Sequence, residues 1–468
     1  MIKNSPRKEK VMKTFKKIVS LSLCAAMILG TTACSQEEGK NPNGTDTEAT
    51  TIDLNPVEVG DLVDPNAGKL DNPNLVYFGF YDMRDAGDIK PGVKLFEETY
   101  GGKIDYIYVD WASKNDRLTT LITSGDSPDI VDKEDASFPY LMAQNLYTDM
   151  TPYFEKYMDE EQWTPAYKDL IERYSWKGAH YFYPFTVNAL PNCLIYNADL
   201  FSSLNIKNPK EMYLNNEWDW NSFKQSMVDF MNANPDAVGG VYGILPSEIF
   251  KTTGVPLIAI EEGNLINNLN NQALDRAASF LMELRKDKLT ARGDGMYSNE
   301  SEPLASGKCG YLAVGQWKIT DYCRDYPDRN FEFVPFPRDP YADDYYYGLS
   351  SFSYMVVSGA PNPEGAAAFI NIMRKCQTDP ELQAVVNKSI MTEKNYDQET
   401  FDFIMSFNDI DKYSLTLEGF SGFNSEFTDI INDMLTNITF ESDEQKNWAQ
   451  LRNEYEGPIN AYLEPYMK

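Results

Sequence analysis

"LTTLITSGDSPDIV", residues 118–131, passes from helix to strand within a few residues. Leu118, Leu121 and Ile122 recur at the spacing of one helical face, and Ser113 with Asp116 upstream predicts a capping box. Gly125 predicts a helix stop in the left-handed conformation, and Pro128 blocks resumption. "DIV" then reads as a short buried strand. The loop after it, "DKEDAS", crowds Lys133, Glu134 and Asp135 where that strand ends.

The flanking sequence repeats the alternation. "LVYFGF" from residue 74 onward reads as a strand, "KPGVKLFEETYGG" as a helix closed by glycine, and "KIDYIYVD" as a second strand. Strand, helix and strand in succession imply a parallel sheet of an α/β protein. Open sheets of that kind place ligands outside the carboxyl ends of their strands. Downstream, "HYFYPFTVNALPNCLIYN" breaks its apolar pattern between Pro184 and Pro191, so two strands joined by a crossing segment are expected there. "WNSFKQSMVDFMNAN" and "NQALDRAASFLMELRKDKL" read as helices, "CGYLAVGQW" as a strand with a helix beginning near Ile319, and "FEFVPFPRDP" and "YGLSSFSYMVV" as strands. "NPEGAAAFINIMRKC" reads as a helix with Asn362 ahead of Pro363 at its start. No internal repeat is evident.

The amino terminus is of another kind. Seven cations precede the apolar run "IVSLSLCAAMILG", which is too short to span a bilayer and reads as a signal peptide over residues 1–33. A second methionine, Met12, would give a more ordinary signal length. "TTAC" at 31–34 resembles the bacterial lipobox, which implies diacylation of Cys34; Thr31 departs from the usual leucine. Residues 34–73 then read as the lipidated cysteine and a polar, flexible tether, with a reach of about 35 Å for roughly forty residues.

Of 468 residues, 42% are apolar, enough for two or three domains with a substantial core. Without the leader, 35 basic and 70 acidic residues leave a net charge of −35, which argues against nucleic acid and anionic headgroups as partners. Cys193, Cys309, Cys323 and Cys376 contain no CxxC pair, so neither a zinc site nor a disulfide framework is expected. Four mostly buried thiols are the favoured reading, with a Cys309–Cys323 bridge left open. The sole histidine, His180, removes multi-histidine metal sites and most Ser-His or Cys-His nucleophiles, and reads as half-buried beside Tyr181. No metal and no cofactor are expected.

Several stretches then match one family in order: "LTTLITSGDSPDI", "YFYPFTVNALPNCLIYNADLF", "EWDWNSF", "VYGI", "LASGKCGYLAVGQW", "FVPFPRDP" and "MVVSGAPNPEGAAAFINIM". The chain resembles the family 1 extracellular solute-binding proteins of bacterial ABC importers, the maltose-binding-protein-like group. The resemblance implies a two-lobed periplasmic-binding-protein-like α/β fold with a hinge, an interlobe ligand cleft and no catalysis. It assigns residues 74–186 plus 346–396 to lobe 1, and 190–340 plus 397–468 to lobe 2. It also implies a carbohydrate ligand, transmembrane subunits of an ABC importer as partners, a lipid anchor at the outer face of the cell membrane, and a monomer.

Carried over by position, Tyr81, Asp82 and Arg84 after the first strand, and Lys133, Glu134 and Asp135, would line the first lobe's wall. Asn188 in "PFTVNALPN" would be a hinge-side polar contact, and Trp317 in "GQW" the stacking tryptophan. Phe423, Asn424 and Phe427 in "GFNSEFTDIIN" would supply further contacts. Most of these residue types differ from the family's, so no particular ligand carries over. The chemistry is consistent with a sugar, whose apolar C–H faces and hydroxyl rim suit flat aromatics edged by Asp, Asn, Lys and Arg. Trp111 reads equally as a cleft residue or a strand-end cap, and Trp218 and Trp220 read as structural. Two other readings stay open. One is the same fold with a peptide, polyamine or sugar-acid cargo, where convergence of Arg84 and Lys133 would favour the acid. The other is a secreted carbohydrate-active hydrolase with a carboxylate pair.

Overall fold

The computed structural model describes residues 57–157, 159–261, 264–291, 301–394, 396–440 and 445–466. The signal peptide, Cys34 and the first part of the tether lie outside them.

In chain order the strands are β1 (Leu75–Gly79), β2 (Ile104–Tyr108), β3 (Ile130–Asp132), β4 (Thr186–Asn188), β5 (Asn192–Asn197), β6 (Gly239–Gly243), the hairpin β7 (Ile258–Glu261) and β8 (Asn264–Asn267), β9 (Thr290–Ala291), β10 (Cys309–Gly315), β11 (Phe331–Val334), β12 (Tyr346–Tyr347), β13 (Ser350–Phe352), β14 (Tyr354–Val356) and β15 (Ser414–Leu415). Among the described residues they form two larger sheets and three two-stranded ones. Lobe 1 has the order β14-β3-β1-β2, parallel except for β14; lobe 2 has the order β11-β5-β10-β6-β9, with β10 parallel to β6 and antiparallel to β5. This is the two-lobed α/β arrangement with a hinge that the resemblance implied. The lobes are joined through β4 paired with β13, β12 paired with β15, and the crossing between the helices Pro380–Lys394 and Gln398–Ser406.

The opening stretch folds largely as its pattern requires. The helix Lys114–Ser124 ends at Gly125, with φ of +81°, where Gly125 N–H donates to Ile122 O at 3.2 Å and Asp126 N–H to Leu121 O at 3.0 Å. These bonds satisfy carbonyls that the helix end would otherwise leave bare. The expected capping box is absent. Residues Trp111–Ser113 form a 3₁₀ turn that runs straight into the helix, so Ser113 is itself helical and makes no side-chain cap. Asp129 holds the turn instead, its carboxylate accepting from Val76 N–H at 2.8 Å and Asn362 N–H at 2.9 Å. Asn362 in turn caps the helix Pro363–Thr378 through Gly365 N–H at 2.9 Å.

Right-handed crossovers place the helix Lys90–Tyr100 on one face of the lobe 1 sheet and the helix Lys114–Ser124 on the other. The first face is covered also by Pro363–Thr378, with Phe96 and Phe369 edge to face at 5.3 Å. Val57 and Val59 are buried in this same core, and Asn362 Nδ2 donates to the carbonyls of Asn72 and Asn74, both at 2.8 Å. The lobe therefore holds the chain before residue 74 at Val57, Val59 and Asn72, a shorter tether than composition indicated. Low hydropathy hid the two valines that anchor it.

In lobe 2, Trp218 and Trp220 are structural, as read. Trp218 is fully buried and donates to Pro335 O at 2.8 Å, and Trp220 stacks on Phe280 at 4.9 Å beside a capping box of Asp219 and Ser222. Cys193, Cys309 and Cys376 are buried and Cys323 half-buried, all four as free thiols. No helix among the described residues is long and apolar enough to cross a membrane.

Candidate functional site

At the carboxyl edge of the lobe 1 sheet the chain leaves four large rings in solvent. Phe80 and Tyr81 follow β1, Tyr108 ends β2, and Trp111 lies just beyond; Tyr108 and Trp111 are 55% and 60% exposed. Phe80 sits between its neighbours, 5.0 Å from Tyr81 and 4.9 Å from Trp111, both edge to face. The platform has a polar floor. Asp132, at the end of β3, accepts from Tyr77 Oη at 2.5 Å and lies 3.4 Å from Tyr81 Oη, and burial raises its pKa. Buried Lys114 pairs with Glu134 and places its ammonium 5.8 Å from the Phe80 ring.

Across from it, Trp317 follows β10, 52% exposed at the start of the helix Lys318–Asp325. Its indole lies over Gly315, where a Cβ would stand 2.4 Å from Nε1. The loop after Tyr81 reaches Glu393 through Gly87 N–H, and Tyr396 Oη lies 2.5 Å from Thr320 Oγ1 on the helix that Trp317 begins.

Deeper, toward the hinge, the walls become charged. Lys133 and Asp135 come from the loop after β3, and Tyr174 from the end of the helix Pro165–Arg173. Opposite are Glu248 and Lys251, paired at 2.7 Å, with Asn192 Nδ2 donating to Glu248 Oε1 at 2.8 Å. Against the effect of burial, Glu248 raises the Lys251 pKa, with Glu418 and Asp135 adding to it, and burial raises the Tyr174 hydroxyl, with Asp135 and Glu418 adding to it. Burial raises Glu418 to about 7, opposed by the backbone N–H groups of Ile258, Leu257 and Phe420 and by Lys251.

Of the expected contacts, Tyr81, Asp135 and Trp317 keep exposed surface and Lys133 is half-buried, while the others turn inward. Asp82 and Arg84 bind each other at 2.6 Å, and Arg84 also donates to Ile104 O, so the pair closes a turn and Arg84 does not converge with Lys133. Glu134 is taken by Lys114. Asn188 is buried; its Nδ2 donates to Asn408 Oδ1 at 2.8 Å and its Oδ1 accepts from Leu190 N–H, which makes it a hinge strut.

Phe423 and Phe427 are 2% and 0% exposed, packed on Tyr462, while Asn424 caps the helix Ser425–Thr439. Residue identity alone could not separate core aromatics from cleft aromatics. Phe80 was not among the expected residues and Trp111 was read equally as a cleft residue or a strand-end cap; each sits just past a strand end, in "GFYD" and "VDW".

This end of the segment meets lobe 1 rather than ligand. Gly422 lies against Phe138 and Pro139, and Asn424 Nδ2 reaches Tyr140 Oη at 3.4 Å. A groove of about 480 Å³ lies apart from the strand ends, lined by helix residues including Tyr167, Arg374, Asn387 and Asp402. His180 is half-buried beside Thr151 and Glu172, away from the platform. Among the described residues no three His, Cys, Asp or Glu side chains are grouped to hold a metal ion.

A family model described as bacterial extracellular solute-binding protein matches residues 83–375. The lipoprotein LipO of Bacillus subtilis (strain 168) is 21% identical over 392 residues, which are 79% of this chain and 69% of LipO. Among solved structures, the sugar-binding protein MalE from Xanthomonas citri aligns with a TM-score of 0.63 at 13% identity, over 84% of this chain and 98% of that one. The cyclic α-maltosyl-1,6-maltose binding protein from Arthrobacter globiformis aligns with a TM-score of 0.63 at 13% identity, over 84% and 99%. At these identities the likeness to the solved structures is one of fold.

Proposed function

The chain belongs to the bacterial extracellular solute-binding proteins, and from that premise we propose that it captures a carbohydrate between its lobes and delivers it to the transmembrane subunits of an ABC importer. The observation that carries this reading is the pair of exposed aromatic surfaces at strand ends of both lobes: Phe80, Tyr81 and Trp111 on one, Trp317 on the other. Most other large aromatic rings are withdrawn from water. Two flat apolar faces separated by a polar cleft match the two C–H faces and hydroxyl rim of a pyranose. Asp135, Lys133 and the Glu248–Lys251 pair would meet the hydroxyls, and ligand touching both walls would favour the closed arrangement. The sugar-binding relatives of the same fold support this class of ligand. The protein acts as a binder and not as a hydrolase.

We further propose that a diacylated Cys34 holds the monomer at the outer face of the cell membrane, a reading supported by the "TTAC" sequence and by the lipoprotein relative. Two measurements test the whole. A cognate glycan should change tryptophan fluorescence and be recovered intact by chromatography; shortened products at enzyme-like turnover would favour the hydrolase. Cys34→Ala should release the protein from the membrane fraction, and unchanged retention would remove the lipid anchor.

A further inference from the structure

We propose that the inner end of the cleft is an anion subsite centred on Lys133, and that the captured carbohydrate carries a carboxylate. The inference rests on the capture reading and adds the charge of the cargo to it. Lys133 directly follows β3, its backbone N–H fixed to Ser353 O at 3.0 Å, and its ammonium lies 5.7 Å from the Phe182 ring, which is buried.

The lysines around it are balanced. Lys114 is paired with Glu134, and Lys251 with Glu248 at 2.7 Å. Among the described residues no carboxylate lies within 4.0 Å of the Lys133 ammonium, although the chain holds 71 acidic residues against 42 basic ones. Such a group is partly desolvated, faces an aromatic ring, and is acted on by an anion only at longer range. Neutral hydroxyls hydrogen-bond an ammonium but leave its charge uncompensated, whereas a carboxylate supplies both.

Asp135, on the same loop, is the nearest anion and acts on Lys133 at longer range, while burial lowers the lysine's pKa. Tyr174 lies on the lobe 1 side. From lobe 2 come Glu248, already committed to Lys251 and Asn192, and Glu418, whose carboxylate accepts from Leu257 N–H at 2.7 Å and Ile258 N–H at 3.0 Å. The anions opposite are therefore occupied by donors of their own, and among the described residues none forms an ion pair with Lys133. Arg84 contributes nothing, because Asp82 neutralises it.

The test uses the purified chain and retention of defined oligosaccharide pools: acidic digests of polygalacturonate and hyaluronan, a sulfated digest of carrageenan, and neutral digests of starch, galactan and mannan. Any retained acid is then compared with its methyl ester, which has the same skeleton without the charge. Retention of a uronate fragment is expected. Esterification or Lys133→Met should weaken it at least about 30-fold, and Lys133→Arg should keep the preference. Binding should also weaken as sodium chloride rises.

A second readout needs no ligand. Lys133→Met keeps the apolar stem on Phe182 and removes an uncompensated charge, so the free chain should melt at the same temperature or higher. A fall in melting temperature would reveal an internal partner and overturn the assignment. Equal retention of a neutral fragment by wild type and Lys133→Met would overturn the anion subsite and leave carbohydrate capture standing. Preference for the sulfated pool would overturn the carboxylate. An acid preference that persists in Lys133→Met would remove Lys133 from the subsite. Retention from none of the pools would overturn this inference together with the capture reading.

Discussion

Replacing Trp111 with alanine should weaken carbohydrate binding far more than it weakens the fold. The ring is 60% exposed, so of about 250 Å² of indole surface about 150 Å² meets water. A pyranose face covering about half of that removes about 75 Å², which at about 25 cal/mol per Å² is about 2 kcal/mol. The expected loss is about 25-fold in Kd. Stability should fall by only about 0.5 to 1.5 kcal/mol, because the main packing lost is the edge-to-face contact with Phe80 at 4.9 Å. Titration calorimetry with a glycan retained in the screen, and urea denaturation of the free protein, separate the two quantities. Tyr341 is the control: it is 79% exposed but lies over Arg276, not among the platform residues, so Tyr341→Ala should leave affinity unchanged. Unchanged affinity in a folded Trp111→Ala protein would refute the platform. So would an equal loss in Tyr341→Ala, which would show that any exposed ring matters as much.

Three further outcomes are expected. Gly422→Ala should loosen lobe closure, because its Cβ would stand 2.2 Å from Phe138 O and 2.8 Å from Pro139 Cδ across the lobes. Apparent affinity should fall without any change at the strand ends, and the free chain should scatter with a larger radius of gyration; wild-type values for both would refute the contact. Gly125→Val meets no neighbour within 4 Å, so its cost is backbone strain alone at φ of +81°. A loss of about 1 to 2 kcal/mol in urea denaturation is expected, with normal affinity in the folded fraction, and unchanged stability would refute the strain.

Glu418 should make stability fall with rising pH. Its carboxyl is raised from the ordinary 4.5 to about 7, so between those values the folded chain holds a proton that the unfolded chain has released. That contribution is present below pH 4.5 and lost as pH passes 7, with a slope of at most about 1.4 kcal/mol per pH unit. Glu418→Gln should flatten this part of the pH profile, and an unchanged slope in the variant would assign the effect to other groups.

The backbone of the fold was legible because its signals are local. Gly125 and Pro128 end a helix wherever it sits, Asn362 before Pro363 starts one, and the apolar runs of β1, β2 and β10 are too short and too β-branched or aromatic for anything but strands. The capping box at Ser113 failed because an adjoining 3₁₀ turn supplied the helix start by another route. The tether boundary failed because two valines, Val57 and Val59, dock into a core assembled from distant segments.

The site was legible only in part, for a related reason. Sequence by itself determined which loops follow the strands, and so it placed Tyr81 after β1, Lys133 and Asp135 after β3, and Trp317 after β10. It could not say which side chains on those loops remain available. Asp82 is spent on Arg84, Glu134 on Lys114, and Asn188 on Asn408, the last pair being 220 residues apart in the chain. Phe423 and Phe427 are hidden by Tyr462, on a helix that reaches them only through tertiary packing. Periodicity and turn chemistry act over a few residues and determine the elements. Desolvation and charge pairing act between residues far apart in the chain, so only the tertiary structure decided that Phe80 and Trp111 stay exposed and that the described residues form no ion pair with Lys133.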